Sequence, residues 1–197
     1  GQIGASIGLA LDAYKKDIYR VGHDKNMTTA KEAQKLGVVD KIHRNLPNSV
    51  RDADIIILSL PFSEMRDTLK FIAQDVKEDA LILDTGAGKA AVHAWIQEFL
   101  PAGRAYIGLA PVINPLYLQE EEFGLSAARK DLFENTPTML AAPVTASAGA
   151  VDAAITLIRL IGSQPLFTDA LEADGIMASA HLLPQLTAAA LLNTTVS

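Results

Sequence analysis

Gly1-Gln2-Ile3-Gly4-Ala5-Ser6-Ile7-Gly8 opens the chain, with Asp24 a short way downstream. Gly1 and Gly4 have the spacing of the second and third glycines of a G-x-G-x-x-G dinucleotide turn. The second glycine lets backbone approach a pyrophosphate. The third lets the following helix lie close to its strand, with the N–H groups of its first turn facing the phosphates. Ser6 to Lys16 reads as that helix, with Ile7, Leu9, Ala10, Leu11 and Tyr14 as an inward stripe. Asp17 to His23 reads as a short strand closed by Asp24. A carboxylate then stands about 20 residues past the glycines, where the ribose 2′-hydroxyl needs an acceptor. Its charge favours NAD over a 2′-phosphate, while Lys25 beside it partly offsets that repulsion and leaves NADP possible. The motif's first glycine and its preceding strand are not in the chain. That strand is central in the sheet order 3-2-1-4-5-6, and its neighbours need it to pair their edges. The reading therefore expects apolar residues upstream of Gly1.

Further along, apolar runs and helical periods alternate. Thr28 or Thr29 can cap a helix over Ala30 to Leu36, ended by Gly37. Val38 to Ile42 is a short extended piece. Ala53 to Leu60 is a continuous β-rich run, as in a parallel strand covered on both faces. Pro61 ends it, and Ser63 can cap a helix through Phe71. Ala80 to Asp84, Ala105 to Leu109, Thr138 to Ala142 and Gln164 to Thr168 read as strands. Ala90 to Leu100 and Ala148 to Ile161 read as helices. The alternation predicts an α/β fold, a Rossmann-type, mostly parallel, doubly wound sheet. The texture changes near Leu171. Glu172 to Thr195 contains no Lys or Arg and only His181 as a possible cation, and the helix it predicts is apolar nearly all round. Such a helix needs cover from a second helical domain, a second subunit, or both. Pro184 should kink it. The expected division is residues 1–168 as a dinucleotide-binding domain and 169–197 as the start of an all-α substrate and dimerisation domain.

Composition narrows the function. The 197 residues are 49% hydrophobic and 20% charged, ordinary for a folded globular chain. A net charge of −6 gives no sign of nucleic acid or an anionic membrane as partner. With no cysteine there is no disulfide, thiolate metal site or Cys nucleophile. His181, Pro184 and Gln185 interrupt the apolar C-terminal run, which argues against a membrane span. No secretory signal is visible, so a cytoplasmic protein is expected. No cluster has metal-ligand spacing and no G-x-S-x-G elbow is present.

In an open parallel sheet, ligands sit beyond the carboxyl ends of the strands. Gly1 to Gly4 with Gln2 and Ile3, then Asp24 and Lys25, are expected to hold the pyrophosphate and adenosine ribose. Ser59, Leu60, Pro61, Thr85 and Gly86 are expected around the nicotinamide, with the Ala110 to Pro115 loop as a further wall. Lys89 follows a Gly-rich turn, and either holds an anionic substrate or is a solvated lysine at a helix start. His93 reads as a helix-surface residue, His23 as a residue that borders the adenosine or merely ends a strand, and His43 as a solvated one. His181 has two readings, a satisfied core histidine or a group that binds substrate or moves a proton.

These stretches resemble the prephenate and arogenate dehydrogenases of tyrosine biosynthesis. The likeness is carried by Gly1 to Leu11, by Ala53 to Pro61, and by Asp84-Thr85-Gly86-Ala87-Gly88-Lys89, which is similar to the family's D-x-G-S-x-K. Gly108-Leu109-Ala110-Pro111 falls where the family has G-G-H-P, and Asp174 through Pro184 resembles its D…S-H-L-P-H helix. The resemblance implies NAD(P)-linked oxidative decarboxylation of a small anionic substrate by a homodimer joined through its C-terminal helices. It also marks departures. The family's serine that contacts the substrate hydroxyl is Ala87 here, and its proton-accepting histidine is Ala110. In the helix motif His181 stands where the family has serine, displaced by one residue, or about 100° of helix. His181 and Lys89 are thus the candidate catalytic residues. The expected function is a dehydrogenase for prephenate, arogenate or another small hydroxy acid. The alternative is a non-catalytic NAD(P)-binding sensor or regulatory protein.

Overall fold

The computed structural model describes residues 1–119 and 121–195, apart from the side chains of residues 181 and 195. Helix α1 (Gln2–Leu11) begins directly after Gly1, four residues earlier than the apolar stripe suggests. Nothing in Gln2-Ile3-Gly4-Ala5 forbids the helix, and one glycine costs only about 1 kcal/mol against alanine. Strand β1 (Val21–Gly22) is far shorter than Asp17 to His23, because Asp17 and Ile18 close a turn on Tyr14. Helix α2 (Met27–Lys35) is capped by Asn26, not by a threonine. The Asn26 side chain accepts from the N–H groups of Thr28 and Thr29. Gly37, at φ +76°, ends that turn, and β2 (Lys41–Ile42) runs parallel to β1. Short helix α3 (Leu46–Val50) has no apolar period to announce it. Asn45 starts it by accepting from the N–H of Asn48.

The main sheet contains β3 (Ile55–Leu58), β4 (Leu81–Asp84), β5 (Ala105–Pro111), β6 (Pro137–Ala141) and β7 (Gln164–Thr168), hydrogen-bonded in that order. Neighbours are parallel except β5 and β6, which are antiparallel. Among its described residues, the link between those two (112–136) holds a 3₁₀ turn (Pro115–Tyr117) and no crossover helix, and the chain returns in the opposite sense. Among the described residues, β1 pairs with β2 and β3 pairs with β4, but β1 and β3 do not pair with each other.

Helices cover both faces, as the all-buried pattern of β4 requires. On one face, Ile7 and Leu11 of α1 and Leu157 and Ile158 of α6 (Ala148–Leu160) pack on Leu83, Ile107 and Leu140. On the other, α4 (Phe62–Ile72) and α5 (Lys89–Phe99) bring Met65, Leu69, Val92 and Ile96 against Ile56, Leu58 and Ile82. The fold class is therefore as expected.

Beyond the sheet, α7 (Ala170–Met177) passes through a π turn (Ala178–Leu182) into α8 (Leu183–Thr195). The wide turn lies just ahead of Pro184, which has no N–H to give and whose ring crowds the carbonyl four residues back. Leu182, Leu183, Leu186, Leu191 and Leu192 are exposed here, so the cover the sequence predicts for this helix does not come from the described residues. By length and composition alone, Ala170–Thr194 is long and apolar enough to cross a bilayer. Its first turns are held by protein: Ala173 is buried and Asp174 bonds to α5.

The β1–β2 region is fastened by one buried guanidinium. Arg20 donates to the carbonyls of Gly8 at 2.7 Å and Gly37 at 3.0 Å, and to the carboxylates of Asp12 at 2.6 Å and Asp40 at 2.8 Å. Gly8 makes room nearby, since a Cβ there would run into the Val38 carbonyl oxygen. Arg20→Ala removes the charge that Asp12 and Asp40 face, and should lower stability in urea by about 3 kcal/mol. A loss below about 1 kcal/mol, the value of an exposed pair, would contradict this account. Hydrogen bonding to Arg20 holds the Asp40 carboxyl below its ordinary 3.8. Asp40 therefore stabilises the fold above its unfolded value, and that contribution is lost as pH falls through the lower folded one. Asp40→Asn should flatten the acid limb of the stability profile below about pH 4.

Candidate functional site

Where β3 and β4 end and α1 begins, Gly1, Gln2, Ile3, Gly4, Ser59, Leu60 and Thr85 line one cavity of about 190 Å³. These are seven of the residues the sequence assigns to cofactor binding. Gly4 is needed for the closeness of the walls, because a Cβ on it would lie 3.0 Å from that of Ser59. Ser59 and Thr85 share a hydroxyl–hydroxyl hydrogen bond of 3.0 Å across the two strand ends. Gly1 stands at the N-cap of α1 and gives no side-chain cap, and the first turn has no acid. The positive end of the helix dipole and its orphan N–H groups thus meet the cavity. The Gln2 side chain is committed elsewhere, donating to the Ala127 carbonyl at 3.1 Å. A larger groove of about 410 Å³, bordered by Asp12, Tyr14, Glu134 and Gly162, lies at the other end of α1. It is away from the carboxyl ends of the strands, and the smaller cavity is the one that suits a ligand of this fold.

Asp24 lies just past β1, where its Oδ1 accepts the N–H of Asn26 at 2.8 Å. Neither Asp24 nor Lys25 lines the cavity. Lys25 is ion-paired with Glu64 of α4, so a neighbour already answers its charge. Pro61 forms the N-cap of α4, and Gly86 lies in the turn after β4.

Lys89 departs from both expectations for it. It is neither solvated nor open to a substrate, being 2% exposed. Its ammonium lies under the turn and donates to Asp84 Oδ1 at 2.6 Å. Asp84, wholly buried, also accepts from the Gly86 N–H at 3.0 Å and the Tyr106 hydroxyl at 2.7 Å. Burial pushes the Asp84 carboxyl up and the Lys89 ammonium down, and each one's attraction for the other opposes both shifts. Burial and the nearby Asp84 charge push the Tyr106 phenol up, so it stays a donor. Gly108 completes the arrangement. A Cβ there would lie 2.7 Å from Lys89 Cδ and 3.1 Å from the Tyr106 oxygen, so only glycine leaves the lysine stem its path. The composition of the loop hid this role, because a lysine after glycines reads as exposed.

Of the other sequence candidates, His93 is half-buried and stacks on Tyr106, with centroids 5.8 Å apart. His23 Nδ1 bonds to the His43 carbonyl. Ala110 belongs to β5, opposite Met139, and is not in a loop. Ala87 lies in the turn between β4 and α5. The backbone of His181 falls in the π turn, and its side chain lies outside the described residues. Sequence reading placed Asp174 only at the start of a helix motif and missed what its side chain does. Its carboxylate accepts from the N–H groups of Lys89 at 2.6 Å and Ala90 at 3.0 Å.

Lys89→Met strands Asp84 in the core without a counter-charge. Stability should fall by about 3–5 kcal/mol, and the double variant Asp84→Asn, Lys89→Met should recover most of the loss. Denaturant titration of the three proteins checks this; equal losses in single and double variants would contradict it.

Comparison with known proteins agrees with this geometry. The family described as prephenate dehydrogenase, nucleotide-binding domain, matches residues 7–167. Cyclohexadienyl dehydrogenase of Zymomonas mobilis is 27% identical over 188 residues, covering 95% of this chain and 62% of that protein. Prephenate dehydrogenase of Bacillus subtilis is 26% identical over 196 residues, covering 99% of this chain and 52% of that one. The chain thus spans between half and two thirds of these relatives. Prephenate dehydrogenase from A. aeolicus, solved with hydroxyphenyl propionate and NAD+, superposes with a TM-score of 0.86 at 19% identity, over 99% of this chain and 66% of that one. Synechocystis arogenate dehydrogenase gives 0.80 at 23% identity, over 98% and 66%. With most of its length matched by the nucleotide-binding domain model, the chain belongs to the prephenate dehydrogenase family.

Proposed function

We propose that this chain carries the nucleotide half of an NAD-dependent dehydrogenase that oxidatively decarboxylates prephenate or arogenate, or of a relative acting on another small anionic hydroxy acid. The observation that carries the reading is the uncapped N-terminus of α1, opening with Gly1 and Gly4 into a cavity at the strand ends. A pyrophosphate fits that place, because it supplies the acceptors and the negative charge that the helix end lacks. The nicotinamide supplies a hydride acceptor when bound. Ser59, Leu60, Pro61, Thr85 and Gly86 would border it, and Asp24 would accept from the adenosine ribose. The names of the relatives in Z. mobilis and B. subtilis, and the NAD+ and hydroxyphenyl propionate of the A. aeolicus structure, support the same chemistry.

In this reading, residues 1–168 hold the nucleotide, and 169–197 begin a helical domain that a second copy of the chain covers. The exposed leucines of α8 support such a homodimer. Lys89 supports the turn from below and does not touch substrate. His181, set in a π turn of the kind that often marks functional sites, takes the proton that Ala87 and Ala110 have no group to accept. NADP is the weaker nucleotide, since Lys25 is paired with Glu64.

Calorimetry should show NAD+ binding at least about tenfold tighter than NADP+, or about 1.4 kcal/mol. Asp24→Asn should erase most of that gap; tighter NADP+ would overturn the assignment. With prephenate, arogenate and a panel of hydroxy acids, the protein should reduce NAD+. His181→Ala should lower the rate by about 10²–10⁴-fold with nucleotide affinity unchanged. NAD+ binding with no turnover of any of these would favour a non-catalytic sensor.

A further inference from the structure

Helix α5 has no cap of its own. Its N-cap is Gly88 at φ +75°, a conformation that side chains rarely adopt, and a Cβ there would meet the Phe62 ring at 2.5 and 2.9 Å. The serine, threonine, aspartate or asparagine that normally answers the first N–H groups of a helix is therefore shut out at this position. Asp174, on α7, does the work from a distance. Its Oδ1 accepts from the Lys89 N–H at 2.6 Å and its Oδ2 from the Ala90 N–H at 3.0 Å. Ala173 beside it is 1% exposed, so the contact is packed as well as bonded.

The capped residue is the same Lys89 whose side chain grips Asp84 under the turn. Thr85, the first residue of that turn, lines the nucleotide cavity and bonds to Ser59. One continuous set of bonds thus runs from α7 through the start of α5 to the cavity wall. We infer that Asp174 is a positioning residue, a long-range cap that couples the docking of α7 to nucleotide binding. The inference rests on the nucleotide reading above. Coupling is reciprocal, so a ligand that needs the turn in place tightens the docking of α7 by the same factor that docking tightens the ligand.

The test compares the protein with its Asp174→Ala and Asp174→Asn variants, by calorimetry with NAD+ and by amide hydrogen exchange. Asp174→Ala should speed exchange at Lys89 and Ala90 by about tenfold and weaken NAD+ by about tenfold, within the usual range of coupling. Asp174→Asn, whose single carboxamide oxygen can still accept, should fall between. NAD+ should slow exchange at Lys89 and Ala90 in the unaltered protein and not in Asp174→Ala. A cap with only a structural role would lower the melting temperature and leave NAD+ affinity unchanged, and that result overturns the inference. Should Asp174→Ala not fold, Asp174→Asn carries the same comparison. If the unaltered protein binds no NAD+, the nucleotide reading has failed; if it binds and both variants bind equally, the inference alone has failed.

Discussion

A lysine ammonium shut away from water shapes this site. Burying either ion alone costs several kcal/mol, so Lys89 and Asp84 are tolerable only together and only with further bonds to Asp84. The Gly86 N–H and the Tyr106 hydroxyl supply those bonds, and Gly108 leaves the lysine stem its path across β5. The end of β4, the turn after it, the start of α5 and the middle of β5 are thereby made into one body. Thr85 rides on that body into the cavity at the start of α1.

Two helices then begin at the same edge of the sheet, and their N-termini are used in opposite ways. That of α5 already holds a carboxylate, Asp174. That of α1 has no side-chain cap, and its glycines bring backbone up to an open cavity. A helix start of the first kind has no need of a ligand's anion, while one of the second kind offers donors and partial positive charge to it. Of these two helix starts, that of α5 is thus satisfied from within the chain, and that of α1 is the one left without a carboxylate.

Much of this was legible in the residues. Ile55-Ile56-Ile57-Leu58 and Leu81-Ile82-Leu83 could hardly be anything but covered parallel strands, and Gly37 and Gly162 marked helix ends by their position. That Gly1, Gly4, Ser59 and Thr85 come together in one cavity was also legible, because the spacing of the glycines and the ends of the apolar runs are displayed in the sequence. What escaped notice depends on contacts far apart in the chain. Lys89 looked solvated because its partner is buried and Gly108, which admits it, lies nineteen positions on. Asp174 could have been sought from one local clue, a helix that starts on glycine and lysine with no capping side chain. Strand β1 shrank and α1 shifted toward the N-terminus, ending at Leu11, because turn bonding and core packing outweigh weak local preference. The antiparallel β6 was hidden because a strand's own residues do not state its direction.

The most direct measurement is a crystal structure of the protein with NAD+. The account predicts the diphosphate within hydrogen-bond distance of the backbone N–H groups at the start of α1, with Asp24 at the adenosine ribose and Asp174 still bonded to Lys89 and Ala90. A dinucleotide bound elsewhere, or a diphosphate at the start of α5 with Asp174 displaced, would contradict it.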